Sequence, residues 1–273
     1  MGTLYLVGTP IGNMEDITLR ALRVLKEVQL IAAEDTRTTG RLLQHHNIDT
    51  ALISYHDYSG EERIAAIVDR LVAGDVALVS DAGMPGLSDP GFRLIQAALE
   101  TGATVTPIPG PSAAVSALIS SGLPTDSFLF LGFLPRQSQA RRQALTDVAG
   151  LPYTLVLYEA PHRLLRLLED MDAVLGDRPA VVARELTKLY EEIARGSVSE
   201  LRAHFEAERV RGEITVVVHG ARAEETVWNE AAVRRAMSRL LEQGVRRKEA
   251  AGRIAQQAGW RKRDVYDLSL GEE

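Results

Sequence analysis

Apolar positions along the chain fall into short runs that alternate with stretches of helical period. Leu4–Val7 reads as a strand, and Ile17–Val28 reads as a helix with Ile17, Ala21, Leu25 and Val28 on one face. Leu30–Ala33, Leu52–Tyr55, Val76–Ser80 and Thr104–Ile108 continue the strands. Between them, Glu61–Ala73 places Ile64, Ile67, Val68 and Leu71 on one face and stops at Gly74, and Phe92–Glu100 and Ser112–Ser121 follow as helices. Regular βα alternation of this kind predicts a largely parallel sheet covered by helices.

A turn-rich segment, Gly122-Leu123-Pro124-Thr125-Asp126, interrupts the pattern. Beyond it Phe128–Leu134, Tyr153–Glu159, Ala180–Glu185 and Ile214–His219 read as strands, with helices over Gln137–Val148, His162–Leu175 and Val198–Glu208. The expected fold class is therefore α/β, with two α/β domains, 1–121 and 122–223, followed by a basic helical extension, 224–273.

Composition narrows the function classes. The chain has 273 residues, 45% of them hydrophobic and 25% charged, with no cysteine. Those fractions exclude wholesale disorder, and the missing thiols exclude disulfides, thiolate zinc sites and a cysteine nucleophile. No apolar run approaches the roughly 20 residues of a membrane span. The N-terminus leads straight into a strand without a basic region, so no signal peptide and no membrane association are expected, and the location is read as cytoplasmic.

A net charge of −6 argues against nucleic acid until its distribution is followed. Residues 1–229 carry 21 basic and 30 acidic side chains, whereas residues 230–263 carry ten basic and three acidic ones. Apolar residues recur in that segment at helical spacing, with breaks at Gly244 and Gly259. The plainer reading is a solvated helical face. A bias this strong favours nucleic-acid phosphates, with Arg246, Arg247, Lys248, Arg261, Lys262 and Arg263 as candidate contacts.

Glycine and proline cluster just after strands, where open α/β sheets place ligands. The turns are Gly8-Thr9-Pro10-Ile11-Gly12-Asn13, Asp81–Gly91 and Pro109-Gly110-Pro111-Ser112-Ala113. None is a Walker A loop, a G-x-G-x-x-G turn or a nucleophile elbow. The six histidines show no metal-ligand spacing, and no metal is expected. The second turn combines small residues, which admit a bulky ligand, with carboxylates that bind hydroxyls, amines or a cation.

Eight segments in order, Leu4–Asn13, Ala32–Arg37, Leu78–Gly91, Pro107–Ala113, Gly132–Pro135, Tyr158–Arg163, Ala183–Lys188 and Gly212–Val218, resemble the ribosomal RNA small subunit methyltransferase I family. The resemblance implies a tetrapyrrole-methylase (class III) fold with S-adenosyl-L-methionine in the cleft between the two domains. It implies methyl transfer to the ribose 2′-oxygen of a decoding-centre cytidine in 16S rRNA of the small ribosomal subunit, by a homodimer. Carried over by motif, Asp81, Ala82, Gly83, Pro85, Ser112, Ala113, Tyr158, Leu186 and Thr215 would hold the cofactor. The Gly8–Asn13 turn, through Thr9 and Asn13, would face the acceptor nucleotide together with Arg37.

A ribose hydroxyl is a poor nucleophile, so a base or a cation at the developing alkoxide should assist. Asp35, Glu159 and Lys188 are the catalytic candidates, because they lie in matched motifs at strand ends; a structural ion pair or cap is the alternative for each. Two other functions remain open at this point. One is methylation of a small tetrapyrrole, which has no need of the basic extension. The other is a non-catalytic ribosome-assembly factor, which has no need of the small-residue turns.

Overall fold

In the computed structural model, residues 1–56, 58–207, 210–221 and 228–270 are described. The elements run β1 (Thr3–Val7), α1 (Leu19–Glu27), β2 (Leu30–Ala33), α2 (Thr36–His45), β3 (Leu52–Ser54), α3 (Glu61–Ala73), β4 (Val76–Val79), α4 (Phe92–Glu100), β5 (Thr104–Ile108) and α5 (Ala113–Ser121). They continue with β6 (Phe128–Phe133), α6 (Ser138–Val148), β7 (Thr154–Glu159), α7 (Leu164–Leu175), β8 (Pro179–Arg184), β9 (Glu192–Ser197), α8 (Val198–Glu206) and β10 (Ile214–Val218). The last three are α9 (Glu230–Glu242), α10 (Arg247–Ala258) and α11 (Lys262–Leu268). Two compact units result, Met1–Ala221 and Arg222–Glu273. Among the described residues no helix is long and apolar enough to cross a membrane.

The first unit holds two sheets. The first is wholly parallel, with strand order β3-β2-β4-β1-β5. Its central strands are buried on both faces, which is why Leu30–Ala33 and Val76–Val79 are apolar throughout rather than alternating. The second sheet is mixed, in the order β6-β7-β10-β8-β9. Its β10 runs antiparallel to both neighbours, and β6 pairs β7 in parallel. Helices α6, α7 and α8 cover one face through Leu145, Leu164, Leu167, Leu168, Met171, Leu201 and Phe205.

Helix α5 covers the other face. Its Ala114, Ala117 and Leu118 pack against Val156, Val181, Ala183 and Val217 of the second sheet. Helix α5, the last element of the expected first domain, is thus buried on the second sheet. Small residues make the close approach of helix to sheet possible. Two elements, α2 and β9, have no counterpart in the strands and helices expected from apolar patterning. The expected end of a helix at Glu208 and the expected start of the extension at 224 lie outside the described residues.

The second unit is a three-helix assembly with its own core of Val233, Met237, Ala250, Ala251, Ile254, Ala255 and Val265. Gly244 and Gly259, both at positive φ, break the helices where the apolar repeat stops. The Asn229 carboxamide oxygen accepts the Ala232 N–H at 2.9 Å and starts α9. Arg246, Lys248, Arg261, Lys262 and Arg263 are exposed. Arg247 is half-buried and donates through Nη1 to the Ser269 carbonyl at 2.8 Å, tying α10 to the end of α11.

Candidate active site

Because β1 lies between β4 and β5, the three glycine-rich turns leave the same edge of the first sheet side by side. They are pinned to one another by backbone contacts. Thr9 and Gly83 exchange backbone hydrogen bonds of 2.9 and 3.1 Å, and the buried Thr9 hydroxyl donates to the Ser80 carbonyl at 3.2 Å. Gly8 and Gly110 touch so closely that a Cβ on Gly8 would lie 2.8 Å from the Gly110 Cα. Ser112 ends the third turn and caps α5, accepting the Val115 N–H.

The second sheet presents the ends of β7 and β8 and the start of β10 at one edge, since Tyr158 pairs with Thr215 and Ala183 pairs with Thr215 from the other side. The segment after β8 is held in an unusual path. Glu185 and Thr187 adopt positive φ of 51° and 67°, a region that costs a non-glycine residue about 1–3 kcal/mol. Hydrogen bonds fix it there: Glu185 N–H to the Glu213 carbonyl at 2.9 Å, Glu213 N–H to Glu185 Oε1 at 3.0 Å, and Thr187 N–H to Glu191 Oε2 at 2.6 Å. Leu186, between the two strained residues, is thereby presented to a cavity.

That cavity, of about 350 Å³, is walled by Ile11, Ala82, Gly83, Met84, Leu87, Asp89, Ser112 and Ala113 from the first-sheet side. Phe133, Tyr158, Glu159, Ala183, Leu186, Glu213 and Thr215 are among its walls on the second-sheet side. Of the expected cofactor residues, Ala82, Gly83, Ser112, Ala113, Tyr158, Leu186 and Thr215 are brought together here. Asp81 and Pro85 are not part of this wall. Phe130 and Phe133 support the Tyr158 ring at centroid distances of 5.0 and 5.6 Å, and burial pushes its phenol up from the ordinary value.

Glu159 is the buried carboxylate of the cavity. Its Oε1 accepts the Ala160 N–H at 2.8 Å and lies 3.0 Å from Arg163 Nε, while its buried Oε2 has no partner among the described residues. Burial pushes this carboxyl up, against the pull of the Ala160 N–H and Arg163. A buried oxygen without a donor is a place for a hydroxyl or amino group of a bound molecule.

A second cavity, of about 190 Å³, adjoins the first and shares Ile11, Ala82 and Glu213 with it. Thr9, Pro10, Gly12, Met14, Thr38, Thr39, Leu42, Ser80, Asp81 and Lys188 complete its wall. Lys188 passes over Gly12, where a Cβ would come within 2.9 Å of both Lys188 Cε and Thr187 Oγ1. Its ammonium donates to Glu185 Oε1 at 2.8 Å and to Glu213 Oε2 at 3.2 Å. Burial pushes that ammonium down, but the two carboxylates outweigh it and hold its pKa above the ordinary value. Lys188 is therefore a fixed cation.

Asp35 and Arg37 line neither cavity, although the Asp35 N–H donates to Asp81 on the wall of the second. Asp35 caps α2, pairs with Arg37 through Oδ2 at 2.6 Å, and is held down to about 2 by that guanidinium. The Arg37 side chain is 84% exposed. Asn13 accepts the Glu15 N–H at 3.1 Å and starts a short 3₁₀ turn. Sequence reasoning missed Ile11, Phe133 and Glu213 as wall residues, although each lies in a glycine-containing segment that it had singled out.

Known proteins place the chain. Residues 3–202 match the family model for Tetrapyrrole (Corrin/Porphyrin) Methylases. A ribosomal RNA small subunit methyltransferase I from Halalkalibacterium halodurans is 48% identical over 272 residues, 98% of this chain and 94% of that protein. The protein of that name from Escherichia coli O157:H7 is 45% identical, covering 100% of this chain and 96% of its own. The fold matches the methyltransferase CobJ with a TM-score of 0.62 at 18% identity, over 81% and 95% of the two chains. It also matches a Thermus thermophilus uroporphyrin-III C-methyl transferase complexed with S-adenosyl homocysteine, with a TM-score of 0.55 at 22% identity, over 79% and 97%. This chain belongs to the ribosomal RNA small subunit methyltransferase I family, a branch of the tetrapyrrole methylases.

Proposed function

We propose that the protein transfers a methyl group from S-adenosyl-L-methionine to the ribose 2′-oxygen of a decoding-centre cytidine (cytidine 1402) of 16S rRNA. It would act on the small ribosomal subunit in the cytoplasm, as a homodimer. The observation that carries this reading is the cavity at the meeting edges of the two sheets. Its volume of about 350 Å³ lies within the roughly 300–1,000 Å³ of small-molecule sites, and its wall mixes apolar faces with a few aimed polar groups.

The residues fit the cofactor. The Ala82-Gly83 backbone and the Ser112-Ala113 start of α5 offer a close approach without bulky side chains. Leu186 and the Tyr158 ring supply apolar surfaces for a purine, and the free Oε2 of Glu159 awaits a hydroxyl or amine. When bound, the cofactor supplies an electrophilic sulfonium methyl. The protein's part is to hold the acceptor oxygen in line at about 3–3.5 Å and to exclude water. In this reading Glu159 serves the cofactor, Lys188 fixes Glu185 and Glu213 beside the acceptor, and Asp35 supports Asp81 through its backbone N–H.

Two measurements test the reading. Calorimetric titration with S-adenosyl-L-methionine is expected to show one saturable site per chain, and no heat of binding would sink it. In cells lacking the protein, the 2′-O-methyl group at the target cytidine is expected to disappear and to return when the gene is restored.

The exposed cations of the second unit are proposed to contact rRNA phosphates. Replacing Arg246, Lys248, Arg261, Lys262 and Arg263 with alanine, while keeping the structural Arg247, should weaken binding of the small subunit at least tenfold near 0.1 M salt. The slope of log K against log salt should flatten by about 0.7–0.9 for each phosphate that is no longer neutralised. Cofactor affinity should not change. Unaltered RNA binding and salt dependence would refute this role.

A further inference from the structure

We propose that the second cavity receives the acceptor nucleoside and that Asp81 takes the proton from its ribose hydroxyl, an inference that rests on the methyl-transfer reading above. The two cavities are neighbours with common walls at Ile11, Ala82 and Glu213, and Asp81 is the residue next to Ala82 on the second-cavity side. A group seated in the second cavity thus meets a ligand of the first across that shared boundary. About 190 Å³ is too small for a tetrapyrrole macrocycle and suits a single nucleoside. Its wall suits one as well: hydroxyl-bearing Thr38, Thr39 and Ser80, apolar Met14 and Leu42, and the charged Asp81, Lys188 and Glu213. A nucleotide enters such a pocket by swinging out of its stack.

Asp81 is the carboxylate here that is both free and supported. Its Oδ1 accepts the Asp35 N–H at 3.0 Å, its own N–H donates to Glu34 Oε2 at 3.3 Å, and among the described residues no cation pairs with it. The other candidates are engaged. Asp35 is chelated by Arg37, Glu159 is buried against Arg163 in the first cavity, Lys188 is a charged ammonium, and Glu213 is ion-paired to Lys188. Around Asp81 stand Asp35, Arg37 and Glu213, with Lys188 on the same cavity wall. Asp81 is an exposed residue, and partial desolvation of its carboxyl, with the charges of Asp35 and Glu213, shifts it up against the Asp35 N–H and Arg37. A base shifted in that direction is better matched to proton abstraction near neutral pH.

The step balances. The hydroxyl O–H bond breaks and its proton passes to Asp81, while an oxygen electron pair forms the new O–CH₃ bond. The methyl–sulfur bond breaks, its electron pair stays on sulfur, and the sulfonium becomes a neutral thioether as the carboxylate becomes a neutral acid.

The test is single-turnover methyl transfer by the full-length protein. It uses S-adenosyl-L-methionine labelled in the methyl group and small subunits from cells lacking the protein. Wild type is expected to show a rate that rises with pH, on a limb centred above the ordinary carboxylate value. Asp81→Asn should cut the rate by about 10²–10⁴ and abolish that limb, with cofactor Kd within threefold of wild type. Asp81→Glu should recover part of the rate, and Thr38→Phe should raise the half-saturating subunit concentration at unchanged cofactor Kd. The assignment is overturned if Asp81→Asn keeps more than about a third of the rate or loses cofactor affinity in step with it. It is also overturned if Glu213→Gln removes the limb instead. Wild-type transfer checks the parent reading separately: without it both fall, and with it the variant ratios alone decide.

Discussion

Asp170→Ala is expected to lower the unfolding free energy of the first unit by about 3–5 kcal/mol, the cost of leaving a buried charge without its partner. Asp170 projects from α7 and is only 3% exposed; it accepts from Arg141 Nε at 2.7 Å, Arg142 Nε at 2.5 Å and the Ser138 hydroxyl at 3.0 Å, all from α6. The Arg141 side chain is 4% exposed, so alanine at 170 would strand a guanidinium in the second-sheet core. The melting temperature should fall by roughly 6–20 °C on the usual scaling for a domain of this size. Burial pushes the Asp170 carboxyl up, but hydrogen bonds from Arg142, Arg141 and Ser138 outweigh it and hold its pKa below the ordinary value. The stabilisation is therefore fully present above the unfolded-state pKa near 3.9 and is lost as pH falls through the lower folded value. Denaturant titrations at pH 7 and below pH 4 check both statements: the gap between wild type and Asp170→Ala should narrow in acid. Asp170→Leu combined with Arg141→Met should recover most of the loss, because an apolar pair of similar volume removes the stranded charge.

The second large effect falls on function. Gly8→Ala is expected to reduce kcat/KM about 100-fold with the fold retained. The new methyl group would meet Met84 Sδ at 2.7 Å, which can swing aside, and the Gly110 Cα and N at 2.8 and 2.9 Å, which cannot. Relief requires the first and third turns to separate, which moves Met84 and Ser112 on the cavity wall, and displacements approaching 1 Å at a reacting centre cost about that factor. Gly150→Ala is the control, since nothing lies within 4 Å of its added Cβ. Steady-state kinetics, with circular dichroism to confirm folding, separates the two variants. Equal activity of Gly8→Ala and wild type would show that the turns are not held by this contact.

Much of the architecture was legible because burial writes a simple pattern. Strands such as Val76–Val79 are sealed between helices and must be apolar throughout, and α3 and α4 carry one apolar face each between turn residues. Helix α2 was hidden by its composition. Thr36-Arg37-Thr38-Thr39-Gly40 has low helix propensity, and the helix is recovered by the Asp35 cap and by burial of Thr39, Leu42 and Leu43. Strand β9 was hidden for the opposite reason: at the edge of the sheet Glu192–Ser197 needs no apolar face and is held by its ladder to β8.

The site was legible in part. Small residues after strands pointed to turns that meet at one cavity, and seven of the nine residues expected around the cofactor line it. The placement of α5 on the second sheet, the positive φ of Glu185 and Thr187, and the division of neighbouring residues Asp81 and Ala82 between cavities were not legible. Each depends on segments distant in the sequence meeting in space, which no local pattern records.

The positions of β1 and β10 in their sheets have a bearing on biosynthesis. Strand β1 is made well before the neighbours it pairs with, since β4 and β5 follow about 70 and 100 residues later. At about 5–20 residues per second, this apolar strand waits some 5–20 s for its second partner. Strand β10 is the reverse: it is made after the other described strands of its sheet, and it must slot between β7 and β8, whose facing edges stay open until it arrives. Unpaired edges of β7 and β8 therefore persist in the nascent chain until Val218 has been made, and such edges are where misassembly begins.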